Sequence, residues 1–226
     1  MRLLLAEQVL LLALDDEKGT DRSQWAGEAG LAGALLLDLG ERDLLRTDTD
    51  RRLVAVDGDP PDHEVLRRAY EVVAGSSRRR GAKAWVDRLQ TELKPLRTTL
   101  AQGLVDRGVL SEERSRVFGL FPRTRYPEAD AHPEFELRQQ LFEVLVTGRT
   151  PTEEEALLVG LLEPLGLIPQ IVPKDHRRAA RRRAQEIGEH GLAGSAVRDA
   201  VREVQAAVMT AAIVASTTAS TTAATS

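Results

Sequence analysis

The chain has 226 residues, of which 42% are hydrophobic and 29% are charged, a composition typical of a folded globular protein rather than a disordered one. It contains no cysteine, which excludes disulfides, thiolate metal sites and a cysteine nucleophile. The net charge of −4 does not indicate a general affinity for nucleic acid. Only 4% of the residues are aromatic, so the core must be built from Leu, Val and Ala, which favours packed helices.

Apolar residues at helical spacing predict that most of the N-terminal half is helical. The predicted helices span residues 3–14, 28–39, 63–74, 82–93 and 95–107. Between the second and third of these, residues 44–46 and 52–56 are predicted to form a short hairpin. Asp62 is the predicted N-cap of the third helix, and Gly108 is the residue expected to end the fifth.

The C-terminal half begins with a segment, residues 109–134, that differs in composition from the rest. It holds two of the four Phe and three of the Pro residues, which predicts a hairpin or an ordered loop rather than a helix. Helical spacing resumes over residues 135–146. Residues 150–153 (Thr-Pro-Thr-Glu) predict a capping box with Pro151 at the first position of the next helix.

Two further helices are predicted over residues 175–187 and over residues 197–215, the second from an apolar stripe at spacings of four and three. Residues 216–226 are only Ser, Thr and Ala, which predicts a flexible tail. We therefore expect a mainly α, compact single-domain fold over residues 1–215, with too little strand for a parallel α/β sheet.

Recognisable catalytic signatures are absent from the sequence. It has no GxGxxG, P-loop, GxSxG or HExxH pattern, and its four histidines are dispersed without metal-ligand spacing. We expect no catalytic residues, no metal and no cofactor. No targeting segment is visible and the apolar stretches are too short to span a bilayer, so the chain is expected to be cytoplasmic, with peripheral membrane contact at most.

Lys94 and Arg97 lie three residues apart at the predicted start of the helix over residues 95–107, where they can project on one side. Cations at a helix N-terminus are electrostatically unfavourable, because that end already favours anions. A bound phosphate would make the arrangement favourable, with the free amides, Lys94 and the forked Arg97 all donating to it. Ordinary surface cations would show the same spacing.

A short apolar run lies between arginines at positions 114, 116, 123 and 125, and its large members are Val117, Phe118, Leu120 and Phe121. Such a pattern suits an interfacial anchor, in which the apolar side chains enter the acyl boundary while the arginines meet anionic headgroups. The alternative is a hairpin that folds onto the core of the protein itself.

Another basic cluster consists of Lys174 and the five arginines between residues 177 and 183, on the helix predicted over residues 175–187. A solvated helix face is one interpretation of this cluster. A nucleic-acid binder that uses this helix is a second one, and the net acidity of the chain argues against it.

Three stretches resemble the Golgi phosphoprotein 3 family in their order and spacing. Residues 3–19 are similar to the opening of the family, residues 30–39 are similar to its second helix, and residues 100–110 (LAQGLVDRGVL) are the most specific match. The resemblance runs from residue 3 to residue 215 and is weaker in the C-terminal third.

This resemblance implies a mostly helical fold with a protruding apolar β-hairpin, which falls at residues 113–124. Eukaryotic members bind phosphatidylinositol 4-phosphate on the Golgi and link glycosyltransferases to vesicle coats. Their headgroup pocket uses a Trp and three Arg; here Trp25, Lys94 and Arg97 fall on three of these positions, and Ala32 stands where the remaining Arg is expected. Lys94 is a point charge without the fork of Arg.

The leading hypothesis is therefore a peripheral membrane protein whose partner is an anionic, phosphoinositide-like lipid. Trp25, Lys94 and Arg97 would hold the headgroup, and the apolar run would insert into the bilayer. The alternative is a protein-binding adaptor without lipid dependence, and the two roles can coexist. No nucleic-acid partner is expected, and the sequence carries no signal for an oligomeric state.

Overall fold

A computed structural model describes residues 2–14, 27–117 and 121–190, together with residues 203, 204, 206–208 and 210. The helices, in chain order, are α1 Leu5–Ala13, α2 Glu28–Glu41, α3 Glu64–Ala74, α4 Ala82–Glu92, α5 Leu96–Asp106, α6 His132–Phe142, α7 Glu153–Leu162, α8 Ile168–Ile171 and α9 Arg177–His190. The strands are β1 Leu45–Thr47, β2 Leu53–Ala55, β3 Glu113–Val117 and β4 Phe121–Arg125. The mainly α fold predicted from composition and spacing is thus confirmed.

The strands form two separate antiparallel hairpins. In the first, β1 pairs with β2 so that Leu45 lies opposite Ala55, as the sequence predicted for this region. In the second, β3 pairs with β4, and the register runs from Glu113 opposite Arg125 to Val117 opposite Phe121. The second hairpin is the protruding element that the family resemblance implied.

The core is centred on α1 and α2, which pack against each other. Every residue of α1 is buried, as expected of a helix that is apolar on nearly all sides. Gly33 of α2 allows a close approach, because a Cβ atom there would lie 2.7 Å from a methyl carbon of Val208. Val204 and Val208 are buried in the same core, which confirms these two positions of the apolar stripe predicted over residues 197–215.

Asp38 of α2 is buried and accepts hydrogen bonds from the backbone amides of Leu5 (3.0 Å) and Ala6 (3.3 Å). It therefore caps the N-terminus of α1 from another helix. Burial raises the pKa of the Asp38 carboxyl to about 7, against the opposing effect of these amides and of the Arg42 guanidinium, whose Nη1 lies 3.3 Å from Oδ1.

Glu7 of α1 is a second buried carboxylate, and it joins three parts of the chain. Its Oε2 accepts the Leu4 amide at 3.0 Å, while Oε1 contacts His63 Nε2 at 3.0 Å and accepts a hydrogen bond from the Arg107 guanidinium. Burial alone would raise the pKa of Glu7, but the hydrogen bonds from His63 and Leu4 and the charge of Arg107 outweigh it, so the pKa lies below its usual value.

Two predicted caps are wrong. His63, not Asp62, is the N-cap residue of α3, and it makes no side-chain cap. The capping box of α7 lies two residues later than predicted, because Thr152 accepts the Glu155 amide at 3.2 Å and the Glu155 carboxylate accepts the Thr152 amide at 2.8 Å. Pro151 therefore precedes the cap instead of opening the helix.

Other predicted bounds need smaller corrections. The helix expected over residues 135–146 begins earlier, at His132, with Pro133 in its first turn, and it continues as a π-helical turn over Glu143–Thr147. Gly108 has a φ of +75° directly after the C-cap of α5, as predicted. Residues 216–226 lie outside the described residues, so the tail and the division at residue 215 stay predictions.

Candidate functional site

Lys94 and Arg97 flank the start of α5, as the sequence predicted. Pro95 is the N-cap residue, so Arg97 lies in the first turn and Lys94 directly precedes the cap. The side chain of Lys94 is exposed and that of Arg97 is half-buried. Among the residues that the structure describes, no side chain caps this helix end, and its first turn contains no acidic residue.

This first turn is suited to an anion. The amide groups at a helix N-terminus carry a partial positive charge and need acceptors, and Pro95 has no side-chain acceptor to offer. Lys94 and Arg97 add two full positive charges at the same place. With a phosphate bound at this end of α5, the amides and both side chains can donate to it.

The stem of the second hairpin lies against this turn. Tyr126, the residue after β4, is buried, and its hydroxyl lies close enough to the side chain of Thr98, in the first turn of α5, for Thr98 to affect its pKa. Burial, followed by the charge of Glu112, raises the pKa of Tyr126, while Thr98, Arg114 and Arg97 act in the opposite direction. Arg97 is thus close enough to Tyr126 to affect its ionisation.

The stem carries positive charge close to the same turn. Arg114 is highly exposed, and its Nε donates to Glu112 at 2.7 Å. Arg125 lies opposite Glu113 in the strand register, and its Nε is buried without a hydrogen-bond partner among the described residues. The base of the hairpin therefore carries further cations, and Arg114 lies close enough to Tyr126 to affect the pKa of its hydroxyl.

The remaining predicted site residues are described only in part. Trp25, Phe118 and Leu120 lie outside the described residues. Val117 and Phe121 pair across the end of the hairpin, where the structure describes their backbone but not their side chains. The structure thus brings Lys94 and Arg97 together with the hairpin stem, while the roles of Trp25 and of the apolar run stay predictions.

Ala32 occupies a position where the family resemblance implied an Arg. It lies in α2 with no exposed surface, surrounded by the core. An Arg side chain would require repacking of this region. At this position α2 contributes no charge to the start of α5.

Sequence reasoning missed a cleft of about 790 Å³ at one surface of the protein. Its lining comes from residues 2–4, 42–44 and 56–66 and includes Asp43, Asp57, Asp59 and Asp62. The arginines of the lining, Arg2 and Arg42, are both paired with Glu41. The aspartates of loop 57–62 were the only sequence signal for this acidic cleft.

Comparison with known proteins decides the relationship that the three similar stretches suggested. The chain matches the protein-family model described as Golgi phosphoprotein 3 (GPP34) over residues 5–204. It belongs to the Golgi phosphoprotein 3 family. None of the helices in the described part of this family member is long and apolar enough to cross a bilayer.

Two similar relatives are fungal proteins with the same name, vacuolar protein sorting-associated protein 74. The protein of Schizosaccharomyces pombe is 29% identical over 167 residues, which cover 65% of this chain and 49% of the relative. That of Eremothecium gossypii is 30% identical over 169 residues, covering 64% and 49%. The match spans about half the length of these relatives. At the family level, the relationship supports a lipid-binding or protein-binding adaptor.

Proposed function

We propose that this protein binds the anionic, phosphoinositide-like headgroup of a membrane lipid at the start of α5 and docks peripherally on the membrane beside it. The observation that carries the proposal is the proximity of Tyr126 to Thr98 and Arg97, which places the hairpin stem beside the turn that contains Lys94 and Arg97. One membrane surface can then contact the headgroup site and the hairpin at the same time.

The phosphate would be held by three kinds of donor. The amides of the first turn of α5 point along the helix axis toward it, Lys94 supplies a mobile ammonium group, and Arg97 supplies a planar fork that can bind two oxygens. Trp25 would pack beside the headgroup. The buried Ala32 removes one cation from the family pattern, so we expect the protein to discriminate less between phosphoinositide isomers than its relatives with an Arg there.

The hairpin would supply the apolar part of the binding energy. Each of Val117, Phe118, Leu120 and Phe121 that becomes buried in the acyl boundary contributes about 1.5–3 kcal/mol. Each basic residue near an anionic surface, such as Arg114, adds about 1 kcal/mol. Two or three inserted side chains together with the headgroup contacts are enough for reversible docking but not for permanent insertion.

A vesicle flotation assay tests this proposal. Wild-type protein should float with phosphatidylcholine vesicles that contain phosphatidylinositol 4-phosphate and remain unbound with phosphatidylcholine alone. The double variant Lys94→Ala, Arg97→Ala should lose about 10-fold or more in binding, because each removed cation costs about 1 kcal/mol near the surface. Unchanged flotation of this variant would contradict the headgroup site.

The matched control removes one Lys and one Arg elsewhere. Arg68 is exposed on α3, and Lys83 is exposed on α4 with only a surface pair to Asp87. The double variant Arg68→Ala, Lys83→Ala should float like the wild type. A separate Phe118→Ser, Phe121→Ser variant should weaken binding to every vesicle that the wild type binds, because it acts on insertion rather than on headgroup recognition.

The alternative is an adaptor that binds another protein without lipid dependence. The name of the fungal relatives, which refers to protein sorting, supports a protein partner. In that case a partner should be retained on immobilised protein in the absence of vesicles, and its retention should not change in the Lys94→Ala, Arg97→Ala variant. Under either role we propose a cytoplasmic adaptor that acts at a membrane.

A further inference from the structure

A strongly basic segment lies outside the headgroup site and plays no part in the proposed function. Residues 174–186 contain six basic and two acidic residues in a chain whose net charge is −4. They form the short 3-10 turn Lys174–His176 and most of α9. Ala180, Ala184 and Ile187 are buried, so α9 packs one apolar face onto the protein and turns another face to solvent.

The basic residues of this segment fall into two groups. Arg177 is structural, because its guanidinium donates to the carbonyl groups of Val172 (3.1 Å) and Pro169 (2.7 Å) at the end of α8. Arg181 approaches Glu163, and Arg183 approaches Glu186, both at 3.6 Å. Three of the six basic residues therefore have interaction partners within the protein.

The other three cations form what we call the basic face: Lys174, Arg178 and Arg182. They follow one another at steps of four, and all three are exposed. In the part of the chain that the structure describes, none of them has a carboxylate within ion-pair distance. Arg178 and Arg182 repel each other across one helical turn, and Arg178 also lies at the unfavourable N-terminal end of α9. This arrangement does not favour the stability of the free protein.

We propose that the basic face is a second membrane-binding surface, which takes anionic phospholipid without selecting a particular headgroup. This inference goes beyond the headgroup site and does not rest on it. Exposed cations just before a helix and on its solvent-facing side, opposite its apolar face, are suited to the negative potential of a lipid surface, where basic residues act additively.

Charge complementarity alone would also admit a nucleic acid, and two features favour the membrane. The exposed positions beside the basic face include Asp175, His176, Ala179, Arg181 and Gln185, and none of them is Phe, Tyr or Trp. The ring of His176 packs edge-on against Phe142, so the face offers no free aromatic platform on which a base could stack. A fluid bilayer also brings its phosphates to wherever the cations lie, so the cations of the basic face need no particular spacing. Family membership likewise places relatives of this chain at a membrane organelle, the Golgi.

The test uses vesicles of phosphatidylcholine with phosphatidylglycerol, which contain no phosphoinositide. We expect the wild type to bind them and the binding to weaken as salt is added. The double variant Arg178→Gln, Arg182→Gln should bind about 25-fold more weakly, because each basic side chain contributes about fivefold. Glutamine preserves helix propensity at both exposed positions, and circular dichroism should show unchanged helix content.

A matched control, Arg46→Gln, Arg68→Gln, removes two exposed arginines from β1 and α3 and should bind like the wild type. Equal losses of vesicle binding in the two double variants would show that the effect comes from net charge alone, and would overturn the proposal. Failure of the wild type to bind these vesicles, or full binding by Arg178→Gln, Arg182→Gln, would also overturn it. Loss of duplex DNA binding in that variant with vesicle binding intact would assign the face to nucleic acid instead.

The two proposals can fail separately. The Lys94→Ala, Arg97→Ala variant should lose its preference for phosphatidylinositol 4-phosphate and keep most of its binding to phosphatidylglycerol vesicles. The Arg178→Gln, Arg182→Gln variant should show the opposite pattern. A result in which each variant affects both vesicle types equally would overturn the assignment of a separate second surface.

Discussion

The hydroxyl of Tyr126 lies close to the side chain of Thr98, and this contact places the stem of the second hairpin beside the first turn of α5. The two residues are 28 positions apart in the sequence. Tyr126 directly follows β4, while Thr98 follows Arg97, so the contact sets where the hairpin lies relative to the candidate headgroup site. Function in this protein is expected to depend on that relative position.

Tyr126→Phe should weaken lipid binding more than its effect on stability would suggest. The variant loses a polar group that faces Thr98 in a buried position, which should lower the free energy of unfolding by about 1 kcal/mol. Tyr70→Phe is a matched control, because the Tyr70 hydroxyl donates to the Val56 carbonyl at 3.0 Å and belongs to α3. Urea unfolding should give similar losses for both, and vesicle flotation should decrease only for Tyr126→Phe. Equal flotation of the two variants would show that the hairpin stem plays no part in lipid binding.

Glu7→Gln should destabilise the fold, because the buried carboxylate is the common partner of His63 and Arg107. We expect a loss of about 2 kcal/mol. This is less than for a fully buried pair, since His63 and Arg107 are partly exposed and can be rehydrated. Chemical denaturation at neutral pH measures this loss of unfolding free energy. If there is no measurable loss, the three groups are not coupled.

The same variant should change the response to acid. The pKa of Glu7 is lower in the folded protein than in the unfolded chain. Its contribution to stability is therefore present above the usual carboxyl pKa and is lost as the pH falls through the lowered, folded value. Wild-type stability should decline on acidification below pH 4.5, the usual Glu value, and Glu7→Gln should show a shallower decline over the same range.

Asp38→Asn should act on a different pH range and with the opposite sign. Burial raises the folded pKa of Asp38 to about 7 from 3.8. Between these values the folded protein holds a proton that the unfolded chain has released, so this group makes stability fall as the pH rises. The expected slope is about 1.4 kcal/mol for each pH unit. The free energy of unfolding, measured at several values from pH 4 to 7, should no longer show this slope in Asp38→Asn. An identical slope in the variant would assign the pH dependence to another group.

Thr152→Ala should lower the free energy of unfolding by about 1 kcal/mol through loss of the α7 cap. Thr150→Ala is the control, because Thr150 is exposed and, among the described residues, only its backbone carbonyl is hydrogen-bonded, by Arg149. Thermal unfolding of the two variants therefore tests which threonine is the cap. A larger effect for Thr150→Ala would restore the register that the sequence first predicted.

Local sequence predicted the helices well because helical periodicity depends on near neighbours. The start of α2 at Glu28 and that of α4 at Ala82 agree with the predictions to the residue. The α7 cap was misplaced by two positions because Thr150 and Thr152 can both act as caps in isolation. Arg149 helps to select the second, since its guanidinium donates to the Glu155 carboxylate that completes the observed box.

The candidate site was predictable only in part. Lys94 and Arg97 were recognisable from their spacing and from family resemblance, because both features lie within a short stretch of sequence. The position of the hairpin stem beside them could not be predicted, because it depends on the packing of Tyr126 near Thr98. The acidic cleft was missed for a similar reason, because its lining combines loop 57–62 with Arg2, Leu4 and residues 42–44, which are distant in the sequence.

By itself, the sequence determined the helical class, most element bounds and the family of this protein, because these follow from short-range periodicity and from motif order. Only the tertiary structure decided that Glu7 and Asp38, which interrupt apolar helices, are buried carboxylates with partners as far away as Arg107. A buried carboxyl group, whether charged or protonated, is tolerated only where hydrogen-bond partners from other elements converge on it. That convergence exists only in the folded chain.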